Sequence, residues 1–373
     1  LPFVTVVGLI VPLFFSVHLS GTTVQDGFFG VLRVDSFSLF FKYLVLAATA
    51  IVVISSNEYA KRFGNHQGEY YSLILFSSVG MMLLASTTEL ITMYIALELA
   101  ALPTAALAAF IRESRSAESG MKFLILSAIS SAILLYGMVL VYGCTGSSQL
   151  DQIAANITEL GVNSSPALIL GLVLITAGFG FKISAVPFQM WAPDVYEGTP
   201  TPITGFLSVA SKAAGFAVIL RVFYTAFGVD SFNMDWANLI AILSALSMSV
   251  GNLIAIRQEN IKRMLAYSTI AQAGYLMVGL ASVTALQGSA GFGADKAGPS
   301  GVLFYLAGYA MTNLTAFSVI IAISNKTNSD MINSFAGLAR KSPLMATAMT
   351  LSMISLIGIP PTVGFMAKIY IFG

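Results

Sequence analysis

The chain contains 373 residues, of which 57% are hydrophobic and 9% charged, and its formal net charge is +1. Soluble domains carry about 25% charged residues, so this composition, with a mean hydropathy of +0.84, excludes an ordinary soluble fold and indicates a polytopic membrane protein. The balanced charge gives no indication of nucleic-acid binding. The single cysteine, Cys144, excludes an internal disulfide, a Cys-based zinc site and an iron–sulfur cluster held by this chain alone.

Eleven apolar stretches are long enough to cross a bilayer, which takes about 20 residues. None shows the short alternating pattern of an outer-membrane barrel, so the sequence predicts an all-α bundle of about eleven transmembrane helices. The chain begins at Leu1 inside one apolar stretch and stops at Gly373 inside another, and we expect both ends to be truncated. In chain order the stretches cover residues 1–20, 35–56, 70–87, 88–110, 119–144, 166–191, 201–227, 236–256, 262–284, 300–324 and 343–373.

The distribution of basic residues predicts the orientation of the bundle. When the loops are numbered in chain order, the even loops carry ten basic residues and the odd loops only Arg33 and Lys296. We therefore expect the even loops to face the cytoplasm, or the equivalent compartment of an organelle. The ten basic residues of the even loops are Lys61, Arg62, Arg112, Arg115, Arg257, Lys262, Arg263, Lys326, Arg340 and Lys341.

Two of the predicted spans contain helix-breaking residues beside a lysine. Residues 178–187 combine two glycines and a proline around Lys182, and residues 358–361 place a glycine and two prolines before Lys368. Proline removes a backbone donor and clashes with the preceding turn, so both helices should break. Matched broken helices in two halves of a chain are typical of the binding site of a transporter. A simple packing kink is the structural alternative.

Four ionisable side chains lie in the middle of otherwise apolar spans, namely Glu98, Lys182, Lys212 and Lys368. A charge at the bilayer centre costs about 2.5–3.5 kcal/mol, and such residues usually mark a functional site. Three lysines and a glutamate on four different helices predict the stations of a proton or cation path. A static buried ion pair that only holds helices together is the alternative.

Three further basic residues lie closer to the predicted helix ends. Lys42 and Arg221 are expected to extend their long side chains to the lipid headgroups. Lys122, one turn after Glu118, fits either this role or an inward-facing position that supports the path.

Several stretches resemble the antiporter-like subunit N family of bacterial respiratory complex I, the NADH:quinone oxidoreductase, whose mitochondrial and plastid counterpart is called subunit 2. The similarity extends over essentially the whole chain, and its most specific part is the Trp-Ala-Pro-Asp-Val-Tyr-Glu-Gly run at 191–198. The other matching stretches are residues 93–99, 120–128, 181–182, 211–212, 260–268, 358–360 and 364–365, with Lys368.

This resemblance implies a fold of 14 helices built on two inverted five-helix repeats, of which the first helix and the last two are absent here. Residues 1–69 would form the N-terminal helices, 70–227 the first repeat and 228–373 the truncated second repeat. Glu98 would be the glutamate of the family's fifth helix and Lys182 the lysine of its broken seventh helix. Lys212 would belong to the eighth helix and Lys368 to the broken twelfth.

Two positions depart from the family pattern. Many relatives have histidine where this chain has Gln189 and Gln272. Glutamine cannot take up a proton near neutral pH as imidazole can, although it can hold a water molecule in a hydrogen-bonded chain. These two side chains are therefore expected to support a relay in which the lysines and water carry the proton.

The expected mechanism depends on the pair Glu98 and Lys182. Burial favours the neutral amine, and a nearby carboxylate favours the ammonium, so separating the pair would release a proton towards Lys212 and then Lys368. We therefore expect Glu98 to lie within direct or one-water reach of Lys182 rather than of Lys122.

The sequence contains no nucleotide-binding glycine-rich turn after a strand, no cysteine cluster and no flavin site. NADH, flavin, iron–sulfur clusters and quinone are therefore expected in partner subunits, and no cofactor in this chain. The expected partners are other membrane subunits, including further antiporter-like ones, in a bacterial inner membrane or, as the alternative, an organellar one. Two other functions remain open: a membrane subunit of a multi-subunit sodium/proton antiporter or membrane-bound hydrogenase, and a structural subunit that conducts nothing.

Overall fold

The computed structural model describes residues 1–21, 24–161, 165–228, 233–282 and 297–373. Within these residues the chain is a helical bundle with one short β-hairpin. In chain order the elements are α1 (Pro2–Ser20), β1 (Gln25–Gly27), β2 (Leu32–Val34), α2 (Ser36–Ser55), α3 (Asn57–Ala60), a 3₁₀ segment (Lys61–His66), α4 (Gln67–Ser86), α5 (Leu90–Ala108), α6 (Ser114–Thr145), α7 (Leu150–Glu159), α8 (Pro166–Ile183), α9 (Trp191–Gly198), α10 (Thr201–Phe206), a π-helical turn (Leu207–Ser211), α11 (Lys212–Thr225), α12 (Asn233–Ala255), α13 (Ile261–Ala281), α14 (Ala297–Thr327), a 3₁₀ turn (Ile332–Phe335), α15 (Leu338–Lys341), α16 (Pro343–Ile357) and α17 (Val363–Phe372).

The membrane spans follow the hydropathy of the sequence closely. Ten helical stretches among the described residues are long and apolar enough to cross a membrane. The eleventh predicted span is the pair α16 and α17, each of which is too short to cross a membrane alone. The prediction of an all-α polytopic bundle is therefore confirmed.

The loops form two groups, one at each end of the bundle. In the even-loop group, Arg62 donates to Asn325 Oδ1 across 3.3 Å. In the odd-loop group, Glu89 and Gln149 pair in an isolated β-bridge. This grouping agrees with the predicted alternation of the loops between two faces. Lys296, which counts among the odd-loop basic residues, lies outside the described residues.

Both predicted helix breaks are confirmed. Helix α8 ends one residue after Lys182, where Ser184 adopts a left-handed conformation with φ 60°, and helical structure resumes only at α9. Helix α16 ends at Ile357, and the next residue, Gly358, has a φ of 88°, which is favourable only for glycine. The predicted end of the sixth span, at residue 191, is wrong, because the chain resumes its helix after the break and continues to Gly198.

The helical stretch Thr201–Thr225 runs through the centre of the bundle, and its most apolar segment is completely buried. It consists of α10, the π-helical turn and α11, and it packs against α2, α4, α8 and α14. A π-helical turn contains an extra residue and often occurs at functional sites. This turn, which the sequence did not predict, ends immediately before Lys212.

A short hairpin covers part of the odd-loop face, and hydropathy alone did not predict it. Strands β1 and β2 pair antiparallel, with Asp26 opposite Arg33. Arg33 donates to Asp26 and to Asp151 of α7, both at 3.0 Å. These ion pairs connect the hairpin to the amphipathic helix α7 outside the membrane spans.

Candidate functional site

Lys182 lies in the last turn of α8, immediately before the break. Its side chain is buried, and within the described part of the chain its Nζ has no hydrogen-bond partner. The charge of Glu98 acts on Lys182 through space. Burying an ammonium without a direct partner is costly, so this position is exceptional for a residue that only supports the fold.

Glu98 occupies the middle of α5 and accepts a hydrogen bond from Ser131 Oγ of α6. Ser131 and Lys182 both line a small cavity of about 10 Å³. A single water molecule needs about 10–15 Å³. Because Lys182 Nζ has no hydrogen-bond partner among the described residues, the expected direct contact with Glu98 is not formed. Glu98 does not line the cavity itself and is linked to it through Ser131. As expected, Lys122 does not pair with Glu98; its carboxylate partners are Glu118 and Asp194.

Lys212 follows the π-helical turn as the first residue of α11 and is buried. Its Nζ donates to the backbone oxygen of Thr269 on α13, at 2.8 Å. A carbonyl oxygen accepts this hydrogen bond but does not neutralise the ammonium charge. Among the described residues, no carboxylate forms an ion pair with Lys212. The charge is thus held in place without being compensated.

Lys368 and Gln272 meet at the break of the last span. Lys368 Nζ donates to the backbone oxygens of Leu356 (3.2 Å) and Ile357 (2.8 Å) at the end of α16. Gln272 Nε2 donates to the same Leu356 oxygen at 3.0 Å, and its Oε1 accepts from Tyr305 Oη. The carbonyls at a helix C-terminus lack intrahelical partners and carry partial negative charge. The broken helix therefore provides a binding position for the lysine.

Helix α13 connects the site of Lys212 with the site of Lys368. Thr269, which binds Lys212, and Gln272, which shares a carbonyl with Lys368, are three residues apart on this helix. The predicted site residues therefore fall into two groups. Glu98 lies near Lys182, and Lys212 is linked through α13 to Gln272 and Lys368.

Two predicted supporting residues lie outside these groups. Lys122 is at the even-loop end of α6, where its Nζ pairs with Glu118 at 2.7 Å and with Asp194 at 2.9 Å. Gln189 lies in the non-helical segment between α8 and α9, and its buried Oε1 has no hydrogen-bond partner among the described residues. The structure thus places Gln189 in the break that follows Lys182, and Lys122 at one face of the bundle.

The expectation that Arg221 reaches the headgroups is wrong. Arg221 is buried and makes a bidentate ion pair with Asp35, at 2.6 and 3.1 Å, and donates to the backbone oxygen of Ala85 at 2.8 Å. Burial would raise the pKa of Asp35, but the hydrogen bonds and charge of Arg221 outweigh it, so the pKa lies below its ordinary value. An arginine fork that satisfies a carboxylate in this way stabilises the packing of α11 against the start of α2.

Lys262 is also wrongly assigned to a loop by the sequence. It is buried in the first turn of α13, pairs with Asp330 at 3.1 Å and donates to the backbone oxygen of Thr199 at 3.0 Å. The positive-inside rule counts basic residues near helix ends without reporting their direction. The side chain of Lys262 points into the protein, towards the connection between α9 and α10.

The sequence reading missed a group of charged residues around α9. Asp194 and Glu197 both accept hydrogen bonds from Arg263 Nη1 at 2.8 Å, and Glu197 also accepts from Arg115. Two carboxylates three residues apart share one face of a helix, and this spacing was the available signal. The stretch 191–198 had been used only as a family motif, with no role for its individual residues.

Among the described residues, no group of three His, Cys, Asp or Glu side chains could hold a metal ion. The site residues that the structure brings together are protonatable or hydrogen-bonding side chains at membrane depth.

The chain was compared with protein families and solved structures. Residues 87–373 match the family model described as NADH:quinone oxidoreductase/Mrp antiporter, TM. NADH-quinone oxidoreductase subunit N from Desulforamulus reducens is 48% identical over 344 residues, which cover 92% of this chain and 69% of the relative. Subunit N from Trichlorobacter lovleyi is 45% identical over 374 residues, covering 100% of this chain and 74% of the relative.

The fold is also found in an assembled complex. A chain in the structure of respiratory complex I from Thermus thermophilus with bound aureothin superimposes with a TM-score of 0.80 at 34% identity, covering 100% of this chain and 76% of that chain. The family model covers most of the chain, and the relatives match it over nearly its full length. The chain therefore belongs to the subunit N family of NADH-quinone oxidoreductase membrane subunits.

Proposed function

We propose that this chain translocates protons across a bacterial plasma membrane along a buried axis formed by Glu98, Lys182, Lys212, Gln272 and Lys368. The observation that carries this proposal is how the two central lysines are buried and paired. Lys182 and Lys212 are both buried, and neither is neutralised by a carboxylate in direct contact within the described residues. A membrane protein tolerates such charges where they act in transport.

A large cavity supports access to this axis from one face. It has a volume of about 1150 Å³, lies on the even-loop side, and is lined in part by Glu197, Thr201 and Lys262. Because the positive-inside rule places the even loops in the cytoplasm, this cavity would be the cytoplasmic side of the path. Protons would enter the protein there and leave on the odd-loop side.

A polar stripe on the buried central helix runs from the cavity towards Lys212. Thr201 lines the cavity, and Thr204 and Ser208 follow at helical spacing, one turn before Lys212. Asn313 of α14 donates to Ser208 Oγ at 2.8 Å, while Asn313 Oδ1 is buried without a partner among the described residues. Buried polar atoms of this kind are usually satisfied by ordered water. The stripe thus supports a hydrated route to Lys212.

The proposed transfer depends on the separation of Glu98 from Lys182. When Glu98 and Lys182 are connected, directly or through water, the carboxylate stabilises the ammonium of Lys182. When Glu98 is drawn back towards Ser131, the ammonium loses that stabilisation and releases its proton towards Lys212. Lys368, bound at the end of α16, then receives a proton and passes it to the odd-loop side.

The order of the helices supports the inverted repeats. The broken helix is the fourth span after residue 70 and again the fourth span after residue 228. The first set begins on the even-loop side and the second on the odd-loop side. We therefore assign residues 1–69 to the N-terminal helices, 70–227 to the first repeat and 228–373 to the second.

In this proposal the chain works inside a multi-subunit membrane complex. The relatives are subunits of NADH-quinone oxidoreductase, and the solved neighbour is a respiratory complex I. NADH oxidation and quinone reduction, with flavin and iron–sulfur clusters, would take place in partner subunits. This chain, together with other antiporter-like subunits, would convert that free energy into proton movement.

The proposal is tested by Lys212→Met in the whole complex reconstituted in vesicles. Methionine keeps much of the side-chain volume but cannot carry a proton. Because removing an uncompensated buried charge relieves its desolvation cost, assembly should remain intact. We expect the number of protons translocated per electron to fall clearly, measured by proton uptake alongside quinone reduction.

The matched control is Lys326→Met, which removes an exposed lysine near the even-loop end of α14. This variant should translocate protons as the wild type does. If Lys212→Met showed the wild-type number of protons per electron, Lys212 would not belong to the path, and a structural subunit would be the better assignment.

A further inference from the structure

Helix α9, the second half of the broken sixth span, is held by cations from two different helices. Lys122 of α6 donates to Asp194 at 2.9 Å, and Arg263 of α13 donates to Asp194 and Glu197, each at 2.8 Å. Arg115 of α6 contacts Glu197 on the other side. Helix α9 therefore lies between α6 and α13 and is fixed to both of them by charge.

If Asp194 separates from Lys122 or from Arg263, that cation still has a second carboxylate partner. Lys122 also pairs with Glu118, one turn earlier on its own helix, at 2.7 Å. Arg263 keeps Glu197 as its second carboxylate. This doubling of partners means that the Lys122–Asp194 contact can open and close while Lys122 and Arg263 stay paired with other carboxylates.

Because this contact is exposed to water, such an exchange changes the free energy of the protein only slightly. The side chain of Lys122 is 42% exposed and that of Glu118 is 61% exposed. Ion pairs in such positions contribute little to stability, because water competes for both charges. In the structure Lys122 contacts both carboxylates at once, Glu118 on α6 at 2.7 Å and Asp194 on α9 at 2.9 Å.

The other end of α9 is coupled to Lys182. Trp191 Nε1 donates at 2.9 Å to the backbone oxygen of Phe181, the residue that precedes Lys182. At the C-terminal end, Gly198 packs against α6 so closely that a Cβ atom would overlap Ser119 Oγ. A tight contact at Gly198 provides a fixed point, so movement of α9 would be transmitted to its Trp191 end.

The two helices that hold α9 also carry partners of the buried axis. Nine residues after Lys122, Ser131 of α6 donates to Glu98, and six residues after Arg263, Thr269 of α13 binds Lys212. The charged network around α9 is thus attached to both groups of the axis. A change in this network can act on Glu98, Lys182 and Lys212 without touching any of them.

We propose that Lys122 is a positioning residue that alternates between Asp194 and Glu118 during proton translocation, and that this exchange fixes and releases α9 and thereby moves the helix break beside Lys182. The proposal rests on the proposed function, because it describes how the same axis is controlled. It also gives a role to the two carboxylates in the 191–198 motif.

The decisive variant is Glu118→Gln, studied in the assembled complex in vesicles. It removes the alternative carboxylate, so Lys122 should remain on Asp194 and α9 should stay fixed. We expect the rate of proton translocation to fall about threefold, with no change in the amount of assembled complex. The matched control is Glu58→Gln, an exposed carboxylate on the same face, which should behave as the wild type.

Asp194→Asn stops the exchange from the other side, because Lys122 is then left on Glu118, and it should lower the rate similarly. Asp194→Glu keeps the charge and should restore part of the rate. Adding Lys122→Met to Glu118→Gln should cause little further loss, since both changes act on the same contact.

A purely structural network would give a different result, with Asp194→Asn harming assembly and Glu118→Gln having no effect. Wild-type rates in Glu118→Gln would overturn the proposal, whether or not Asp194→Asn assembles. The Lys212→Met variant separates the two levels: if it loses proton translocation while Glu118→Gln does not, the exchange is refuted and the proton path remains.

Discussion

Lys212 and Arg221 lie nine residues apart on the same buried helix, yet their charges are treated in opposite ways. Arg221 is 8% exposed, and its charge is paired with Asp35 through two hydrogen bonds, with a third to a backbone oxygen. Lys212 is 3% exposed, and in the part of the chain that the structure describes its only hydrogen-bond partner is a backbone oxygen. Burial alone therefore does not distinguish a structural charge from one that we propose to carry protons. The partner does.

The chemistry of the two side chains fits this division. The planar guanidinium of arginine is always charged and matches a carboxylate with two parallel hydrogen bonds. The ammonium of lysine is a point charge that can lose its proton. The arginine at position 221 thus fits a permanent structural cation, and the lysine at position 212 fits the exchangeable cation of our proposal.

The largest effect on stability should come from breaking the paired cation. Asp35→Asn retains the ability to cap α2, since asparagine is a good N-cap residue, but leaves Arg221 buried without its carboxylate. We expect a loss of about 3–5 kcal/mol, seen as a lower thermal midpoint and less assembled complex. Adding Arg221→Met should recover most of this loss, and failure to do so would show that Asp35 matters for another reason.

The same pair gives the stability a defined pH dependence. Because the pKa of Asp35 is lowered in the folded state, its contribution is fully present above the unfolded pKa of about 4. It is lost as the pH falls through the lower, folded-state pKa. The thermal midpoint of Asp35→Asn should therefore approach that of the wild type in strong acid, and a constant difference at all pH values would contradict this.

A smaller loss should follow from Asp330→Asn. Lys262 would lose its carboxylate but would keep its hydrogen bond to the backbone oxygen of Thr199, and Asp330 itself is partly exposed to water. We expect a decrease of about 1–3 kcal/mol, the usual effect of leaving one buried polar group less well satisfied. A loss as large as that of Asp35→Asn would mean that exposure does not reduce the cost.

The smallest effect on stability should come from Lys182→Met. Because Lys182 Nζ has no hydrogen-bond partner among the described residues, methionine removes a desolvated charge and breaks no hydrogen bond. We expect the thermal midpoint to stay the same or to rise, while proton translocation is strongly reduced. A clear drop in the midpoint would show that Lys182 also stabilises the fold, and the comparison with Arg221 would then fail.

The sequence alone predicted the membrane spans and both helix breaks, because hydropathy and the positions of glycine and proline are local signals. It also identified Lys182 and Lys212 by their depth alone. It could not provide the partner of Arg221, since Asp35 lies 186 positions earlier and only tertiary packing brings them together. The direction of Lys262 was equally hidden, because helices that are apolar on all sides carry no pattern that fixes their rotation. The π-helical turn before Lys212 has no such local signal either.

The complete burial of the stretch Thr201–Thr225 has a consequence for how the protein is made. In a nascent helix that faces lipid alone, Lys212 near the bilayer centre costs about 2.5–3.5 kcal/mol, and Arg221, which lies closer to the helix end, adds a smaller cost. Its polar groups are accommodated only after α2, with Asp35 at its start, and α13 surround it. We therefore expect this helix to become stable in the bilayer only once α13, which is synthesised later, packs against it. Insertion of the two halves of the bundle would then be coupled.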